Sequence, residues 1–362
     1  MLNGIENEWF KFLNDENNDD IFNECEKNDI RSEETYENKI DHQCPKCSDI
    51  YISTKTKISY LNKVIDLNYL YWLLPIIEYH NDSEGIIKKQ MKFQCTTKED
   101  VDILIEKASK YYYYKSDILC CIDNPNGKIK FKDTRKISIG ICRKDILNTR
   151  CKIKSAFYNC FVVVFRIKQD DNYKEIHIKI FNTGKLEIPG IKDDKLLNIV
   201  LDKLIYIISK TEKYTDINYI NESTETVLIN SNFNCGYFIS REKLYDILRN
   251  KYNINCCYDP CSYPGIQSDF YYNICDDNFI QNGCQPITNR EEFIKISFMI
   301  FRTGSVLMVG KCSEEILKNI YIFIRNVLEI EYYNICIEQH EEDLNKNKNK
   351  QKKHKKKIIY IK

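Results

Sequence analysis

The sequence predicts an α+β fold built from two similar halves, each with antiparallel strands and a long helix. A recurring hairpin motif carries this prediction. Phe181-Asn-Thr-Gly-Lys-Leu-Glu-Ile-Pro-Gly190 returns 120 residues later as Phe301-Arg-Thr-Gly-Ser-Val-Leu-Met-Val-Gly310. Each copy follows an alternating, β-rich run (residues 175–180 and 293–300) and precedes an amphipathic helix. Self-similarity of this kind is the signature of an internal structural repeat.

The helix after each hairpin has apolar residues at the same offsets in both copies. Asp193 and Ser313 stand where helix N-caps belong, because their side-chain oxygens can accept hydrogen bonds from the first free backbone N–H groups. We therefore predict two equivalent long helices that pack their apolar faces on a sheet. The apolar positions are Leu196, Leu197, Val200, Leu204, Ile207 and Ile208 in the first copy, and Ile316, Leu317, Ile320, Ile324, Val327 and Leu328 in the second.

Further elements precede each hairpin and correspond less closely. First strands are predicted at residues 136–141 and 227–233, short helices at 145–147 and 240–249, and another strand at 161–167. Two such halves can share one antiparallel sheet with both long helices on one face, which leaves the opposite face uncovered. An exposed sheet face usually has a bound partner.

Charge is segregated along the chain, although the net charge is only +1. Residues 1–42 contain 13 acidic and four basic residues, whereas residues 128–168 contain twelve basic and two acidic ones. The basic stretch suits a polyanion, and a merely solvated lysine-rich face is the alternative. We predict five segments: an acidic disordered arm (1–42), an N-terminal module with a CxxC motif (43–125), a first repeat (126–212), a second repeat (213–340) and a basic tail (341–362).

The composition indicates an intracellular protein without catalytic machinery. The N-terminus is acidic and lacks the apolar region of a signal peptide, and the apolar runs are too short to cross a membrane. The 17 cysteines therefore favour a reducing compartment and free thiols. No Gly-rich phosphate loop or carboxylate pair occurs, and His80, His177 and His340 stand in no catalytic arrangement. We expect no enzyme activity.

Cys44-Pro-Lys-Cys47 is a candidate metal site, because this spacing supplies two of the four ligands that zinc requires. No second CxxC pair occurs in the sequence. The candidate completing ligands are His42, Cys95, Cys120 and Cys121, and none has a diagnostic spacing. Zinc is therefore one interpretation of this motif, and a pair of structural thiols is the other.

These motifs, in this order, resemble the TATA-box-binding protein family. Ile180-Phe-Asn-Thr-Gly-Lys185 and Pro189-Gly-Ile-Lys192 are similar to the family's Ile-Phe-x-Ser-Gly-Lys hairpin and Thr-Gly-Ala-Lys turn. Tyr258-Asp-Pro-Cys-Ser-Tyr-Pro-Gly-Ile266 is similar to its Tyr-Glu-Pro-Glu-Leu-Phe-Pro-Gly-Leu stirrup. The resemblance covers residues 127–338 and implies a duplicated saddle with long helices on the convex face. More narrowly, the chain resembles the long homologues of this family in large DNA viruses. The resemblance to them lies in residues 44–57, 124–133 and 154–161.

The resemblance implies that the concave sheet holds double-stranded DNA by its minor groove, with aromatic side chains wedged into base steps. Carried over by position, three wedges are Phe181, Phe301 and Tyr263. The fourth falls near Cys160, where Phe161 is the nearest aromatic. Core packing is the alternative role for these rings. The implied phosphate contacts are Arg166, Lys185 and Lys192, reinforced by Lys152 and Lys154.

Family members also place an asparagine on the first strand of each repeat, and the nearest positions in this chain are Lys136 and Val227. The implied partners are a IIB-type transcription factor, contacted by Tyr258 and Asp259, and RNA polymerase, with no membrane. The implied setting is a virus factory in the cytoplasm or the nucleus of an infected host, with packaging in the virion as an option. The alternative is a protein-interaction module that uses the same sheet without recognising DNA.

Overall fold

A computed structural model describes residues 43–147, 157–169, 172–191, 193–220, 223–275, 280–287 and 292–337. These residues form two compact units. We call residues 56–225 the N-terminal unit, and residues 43–55 together with 226–337 the C-terminal unit. Both units combine antiparallel strands with helices, so the predicted α+β class is confirmed.

The N-terminal unit contains a sheet with the strand order β1-β7-β6-β5-β2-β4-β3, and all neighbouring strands are antiparallel. Strand β1 begins before the boundary between the units and ends in this one. The strands are β1 (Tyr51–Tyr60), β2 (Gly85–Cys95), β3 (Tyr114–Asp123), β4 (Phe131–Gly140), β5 (Cys160–Gln169), β6 (Asn172–Phe181) and β7 (Lys185–Pro189), and the helices are α1 (Leu67–Leu73), α2 (Lys98–Ser109), α3 (Arg143–Leu147) and α4 (Asp194–Ser209).

Helices α1, α2 and α4 pack on one face of this sheet and form the core. Val200 and Leu204 of α4 are fully buried. Burial of each such side chain stabilises the folded state by about 1.5–3 kcal/mol relative to leaving it exposed. Thr97 begins α2 with a capping box, since its hydroxyl accepts from Asp100 N while the Asp100 carboxylate accepts from Thr97 N. Lys89 of β2 is also buried in this core.

The C-terminal unit contains a sheet with the order β10-β11-β12-β13-β8, again antiparallel throughout, and a separate pair β9–β14. The strands are β8 (Glu225–Asn234), β9 (Phe238–Ile239), β10 (Asn255–Cys257), β11 (Ile266–Asn273), β12 (Phe293–Ile300), β13 (Ser305–Gly310) and β14 (Cys336–Ile337), and the helices are α5 (Arg241–Asp246), α6 (Glu314–Ile330) and α7 (Tyr332–Ile335). A 3-10 turn at Glu212–Tyr214 belongs to the N-terminal unit, and a π-helical turn at Ile247–Lys251 follows α5.

The predicted long helices are confirmed, and both start at the predicted caps. Asp193 accepts a hydrogen bond from Lys195 N at 2.9 Å, and Ser313 accepts one from Ile316 N at 3.2 Å. Each helix packs on the sheet of its own unit. Among the residues that the structure describes, no helix is both long and apolar enough to cross a bilayer.

The Thr-Gly turns of the two hairpins recur for a steric reason. Gly184 and Gly304 have φ angles of +84° and +78°, in the left-handed region that favours glycine. A Cβ atom on Gly304 would stand 2.3 Å from the backbone oxygen of Tyr237, and one on Gly184 would stand 2.5 Å from that of Lys63. Both hairpins therefore require glycine at this position.

The strand pairing corrects the predicted first strand of the first repeat. Tyr60 of β1 lies opposite Lys185, and Asn234 of β8 lies opposite Ser305, which is the same hairpin position. Strands β1 and β8 are therefore equivalent, whereas residues 136–140 belong to β4, which has no counterpart in the described C-terminal unit. The predicted alignment assumed that adjacent segments in the sequence were equivalent. Residues 96–159 interrupt the first repeat between β2 and β5.

The compact units also differ from the predicted segments. Strands β2 and β3, which were assigned to a separate module, lie in one sheet with β4 and β5. The predicted boundary at residue 125 falls in the turn between β3 and β4. Residues 43–55 belong to the C-terminal unit instead, and Ser48 N donates to Asn234 O of its strand β8 at 2.8 Å.

Candidate nucleic-acid interface

Each sheet has a second face opposite its long helix, which we call the distal face. Alternation along a strand assigns residues to it. In β5, Phe161, Val163 and Phe165 point into the helix-side core, so Cys160, Val162 and Val164 lie on the distal face. In the C-terminal unit, the corresponding distal residues include Met299 and Phe301.

An aromatic pair lies at one edge of the distal face of the C-terminal unit. The ring centroids of Tyr263 and Phe301 are 5.9 Å apart, and the rings are tilted by 52°. Gly265 lies between them, with a hypothetical Cβ only 3.0 Å from the Phe301 ring. Tyr263 is half-buried, while Phe301 is 5% exposed. The structure thus brings two of the predicted wedge residues together.

The N-terminal unit has aromatic residues at the two equivalent positions, and the strand register identifies the second of them. Cys160 lies opposite Phe181. In the C-terminal unit Ile266 lies opposite Ile300, so Gly265 lies opposite Phe301 and is equivalent to Cys160. Tyr263 precedes Gly265 by two residues, and Tyr158 precedes Cys160 by two. Tyr158 is 61% exposed. The fourth aromatic position is therefore Tyr158.

Phe161, predicted as the fourth wedge, belongs to the core instead. Its side chain is fully buried on the helix side of the sheet, and its ring meets Tyr71 edge to face at 5.8 Å. Strand β5 opens with an unbroken apolar run, so alternation in the sequence could not show which residues face the helix. The strand register against Phe181 was the missing signal.

Arg166, predicted as a phosphate contact, is also structural. Its guanidinium donates to the backbone oxygens of Ser83 (2.8 Å), Tyr79 (2.7 Å) and Asn81. The side chain is 6% exposed. All of these donors serve a loop of the same unit, so Arg166 closes residues 79–83 onto the sheet and is not available to a phosphate.

The other predicted cations divide into described and undescribed residues. Lys185 lies beside the aromatic pair, with Nζ 5.3 Å from the centroid of the Phe181 ring. Its role as a phosphate contact stays a prediction. Lys152, Lys154 and Lys192 lie outside the described residues.

Helix α3 lies over the distal face of the N-terminal unit, which was predicted to be uncovered. Lys88 Nζ contacts both carboxylate oxygens of Asp145 at 2.6 and 2.7 Å. Arg143 N donates to the carboxylate of Glu175, with both oxygens at 3.0 Å. Strand β4 is connected to β5 across β2, and this crossover places α3 there. These contacts lie six residues from Phe181 along β6, roughly 20 Å away.

Near α3, the distal face holds buried ionisable groups. Burial lowers the pKa of His177 to about 3, with Lys144 and Lys88 acting in the same direction. Burial raises the pKa of the Cys142 thiol to about 12. Both groups are therefore neutral near pH 7, and a thiolate nucleophile is not present at Cys142.

The distal face of the C-terminal unit is apolar at its centre. Leu228, Met299, Phe301, Leu307 and Val309 pack together and are only 2–5% exposed. The expectation of an uncovered face is therefore not met at these side chains.

Asparagines line the distal face of β8, which corrects the predicted nearest positions Lys136 and Val227. Asn230, Asn232 and Asn234 alternate along the strand opposite Val309, Leu307 and Ser305. Asn230 is 3% exposed, and its Nδ2 donates to Thr54 Oγ1 at 3.2 Å while its Oδ1 has no partner among the described groups. The corresponding register position in β1 is Thr56, which pairs with Pro189.

The stirrup loop (residues 258–265) is held by its own hydrogen bonds. Asp259 Oδ1 accepts from Cys261 N at 3.0 Å, and its second oxygen accepts from the Ser262 hydroxyl. The Ser262 hydroxyl and the Cys261 N–H hold the pKa of Asp259 below its usual range. The Tyr258 ring packs against the Arg241 guanidinium at 5.4 Å. Asp259 remains an exposed anion in a fixed turn.

The chain is 28% identical over 216 residues to a TATA-box-binding protein-like protein of Acanthamoeba polyphaga mimivirus. This chain is similar to a TATA-box-binding-protein-like protein. The match covers 55% of each chain, so the chain spans about half the length of the curated relative that it matches. No family model matches the chain.

Among solved structures, the TBP of Methanococcus jannaschii is 15% identical, with a TM-score of 0.36. The similarity covers 78% of this chain and 98% of that one. The viral relative confirms the resemblance that the hairpins and the stirrup motif predicted, to a TATA-box-binding-protein-like homologue of a large DNA virus.

The CxxC motif lies in the C-terminal unit, whereas Cys95, Cys120 and Cys121 lie in the N-terminal unit. Burial raises the pKa of the Cys47 thiol to about 11. Within the described residues, no three ligating side chains are grouped closely enough to hold a metal. His42 lies outside those residues. Zinc at Cys44 and Cys47 stays a prediction, which metal analysis of the purified chain tests.

Proposed function

We propose that this chain is a DNA-binding transcription initiation factor of the TATA-box-binding type and not an enzyme. It would hold duplex DNA by the minor groove and open base steps with aromatic side chains. The observation that carries the proposal is that strand register makes Tyr158 and Phe181 equivalent to Tyr263 and Phe301, whose rings are in contact. Each pair lies beside a Thr-Gly hairpin, at the same place in its unit.

The chemistry of an aromatic pair suits this task. A ring that enters a base step replaces part of the lost base stacking, and minor-groove insertion of this kind is the known mode of the TATA-box-binding family. Lys185, close to the Phe181 ring, supplies a cation for a flanking phosphate. Because α3 contacts the remote end of the strands, the Phe181 end is the part of this face that we assign to DNA.

The test is binding of the native chain to a duplex across a salt series. If phosphates are contacted, the logarithm of the binding constant falls linearly with the logarithm of the salt concentration. Each phosphate contact adds about 0.9 to the steepness of this slope. Binding of a duplex without salt dependence, or no binding, would contradict the proposal.

A second candidate function, a protein-interaction module, is favoured by the apolar distal face of the C-terminal unit. Leu307, Met299 and their neighbours form an apolar cluster at the centre of this face. Its side chains are only 2–5% exposed, so a protein partner would contact the rim of this cluster. The same salt series separates the two candidates, since protein docking does not require a steep negative slope.

We further propose that the stirrup loop docks a IIB-type factor, which recruits RNA polymerase in the infected host cell, in the virus factory or the nucleus. Asp259 would supply one charged contact and Tyr258 the packing beneath it. Asp259→Arg is expected to lower recovery of this factor in a pull-down by about tenfold, because it reverses a charge at the interface. Equal recovery with both chains, at equal DNA binding, would refute this docking site.

A further inference from the structure

The N-terminal unit has two strands that the C-terminal unit lacks among the described residues. Strand β2 corresponds to β10. Strand β2 pairs with β5 and β10 pairs with β11, and these partners are the strands directly before the two Thr-Gly hairpins, β6–β7 and β12–β13. In the C-terminal unit, residues 258–265 connect β10 directly to β11, and the sheet ends at β10. In the N-terminal unit, the longer connection adds β4 and β3 beyond β2. The distal face is therefore wider on this side.

A lysine pair lies where β2 meets this added surface, next to Tyr158. Lys92 of β2 stands directly opposite Lys136 of β4. Both are on the distal face, because their neighbours Met91 and Ile137 point into the helix-side core. Lys92 Nζ is 3.4 Å from the centroid of the Tyr158 ring.

Positive charge is concentrated in this row. Asp117 of β3 lies opposite Lys136, and it also pairs with Lys115 at 2.7 Å. Like charges directly opposite each other on adjacent strands, such as Lys92 and Lys136, destabilise a sheet. An anionic ligand bound on the distal face would offset this repulsion.

We propose that Lys92 and Lys136 bind phosphates of the duplex just outside the base step that Tyr158 and Phe181 open. This inference rests on the proposed DNA-binding function. Lys136 lies three strands from Phe181, roughly 14 Å at the usual spacing between strands. That distance extends the contact by about four base pairs at 3.4 Å each. Among the described residues the C-terminal unit has no such strands, so the contact that Lys136 adds lies on one side only and gives the protein an orientation on DNA.

The test compares the native chain with a Lys92→Gln/Lys136→Gln variant. Loss of two phosphate contacts should make the slope of log binding constant against log salt concentration shallower by about 2. It should also weaken binding about tenfold or more at low salt. The matched control is Lys107→Gln/Lys110→Gln, which removes two charges at the end of α2, on the other face of the same unit. This control should keep the native slope.

A second readout uses duplexes shortened one base pair at a time from either end. The native chain should lose affinity sooner when one particular side is shortened, and the Lys92→Gln/Lys136→Gln variant should lose this asymmetry. The variant should also unfold at the native temperature or above, because a repulsion has been removed. A native slope and native asymmetry in a folded variant would overturn the inference and leave DNA binding intact. Failure of the native chain to bind any duplex would instead refute the proposed function.

Discussion

Tyr158→Ala is expected to weaken duplex binding about tenfold and to reduce DNA bending. Stacking of one base on an aromatic side chain contributes about 1–3 kcal/mol, and this ring is placed to enter a base step. Tyr158 is mostly exposed, so its removal should leave the free energy of unfolding close to that of the native chain. The double variant Tyr158→Ala/Tyr263→Ala should bind about 100-fold more weakly, since the two sites lie in different units and should act additively.

The control for this pair of variants is Tyr206→Ala. Tyr206 is 62% exposed on α4, the long helix on the opposite side of the same sheet. Its removal takes away an equally exposed phenol ring without touching the distal face. Fluorescence anisotropy with one labelled duplex measures all four chains. Equal affinities for Tyr158→Ala and Tyr206→Ala would refute the assignment of Tyr158 as a wedge.

Lys89 should make the stability of the protein rise between pH 7 and pH 10. This lysine is completely buried in the N-terminal unit, where Nζ donates to Leu74 O at 2.8 Å and to the Tyr111 hydroxyl at 3.2 Å. Burial lowers the pKa of Lys89 to about 7. The pKa values of the facing phenols of Tyr71 and Tyr111 are raised by burial, so these groups stay neutral in the same window.

The sign follows from proton binding. An unfolded chain holds the Lys89 proton up to about pH 10.4, whereas the folded chain releases it near pH 7. Between these values the unfolded state binds more protons, so raising the pH favours folding by up to about 1.4 kcal/mol per pH unit. Below pH 7 both states are protonated, and the cost of the buried charge is fully present.

Lys89→Met should remove this dependence. Between pH 7.5 and pH 9, the native free energy of unfolding should increase by about 1–2 kcal/mol relative to that of the variant. Lys110→Met is the control, because Lys110 is an exposed lysine whose Nζ lies 3.5 Å from Glu106. Denaturant unfolding at each pH measures the three chains. Parallel curves for the native chain and Lys89→Met would show that Lys89 keeps an ordinary pKa.

The sequence was sufficient to predict those elements whose signals are local. The Thr-Gly turns require glycine at Gly184 and Gly304, and the caps Asp193 and Ser313 stand directly before amphipathic helices. Strand β1 could not be assigned in this way. It pairs with residues 185–189, roughly 130 positions later, and nothing in residues 51–60 identifies that partner. Residues 96–159 also separate β2 from β5, which hides the match between the two units.

The candidate site was predicted only in part, because some of its residues are marked by local motifs and others depend on contacts that are distant in sequence. Phe181, Phe301 and Tyr263 follow from hairpin and stirrup motifs that are contiguous in sequence, and two of them are in contact. Tyr158 depends on strand register, which a continuous apolar run such as residues 161–165 leaves undetermined. The role of Arg166 depends on three carbonyl groups of a distant loop, and no sequence pattern marks such acceptors.

DNA bending by the native chain tests the central claim most directly. A duplex of about 25 base pairs with a donor and an acceptor dye at its two ends reports the distance between them. We expect energy transfer to rise when the native chain binds, because aromatic wedges at two steps kink the duplex, and to rise much less when saturating Tyr158→Ala/Tyr263→Ala is bound. Saturating, salt-dependent binding of the native chain that leaves energy transfer unchanged would contradict insertion into the minor groove.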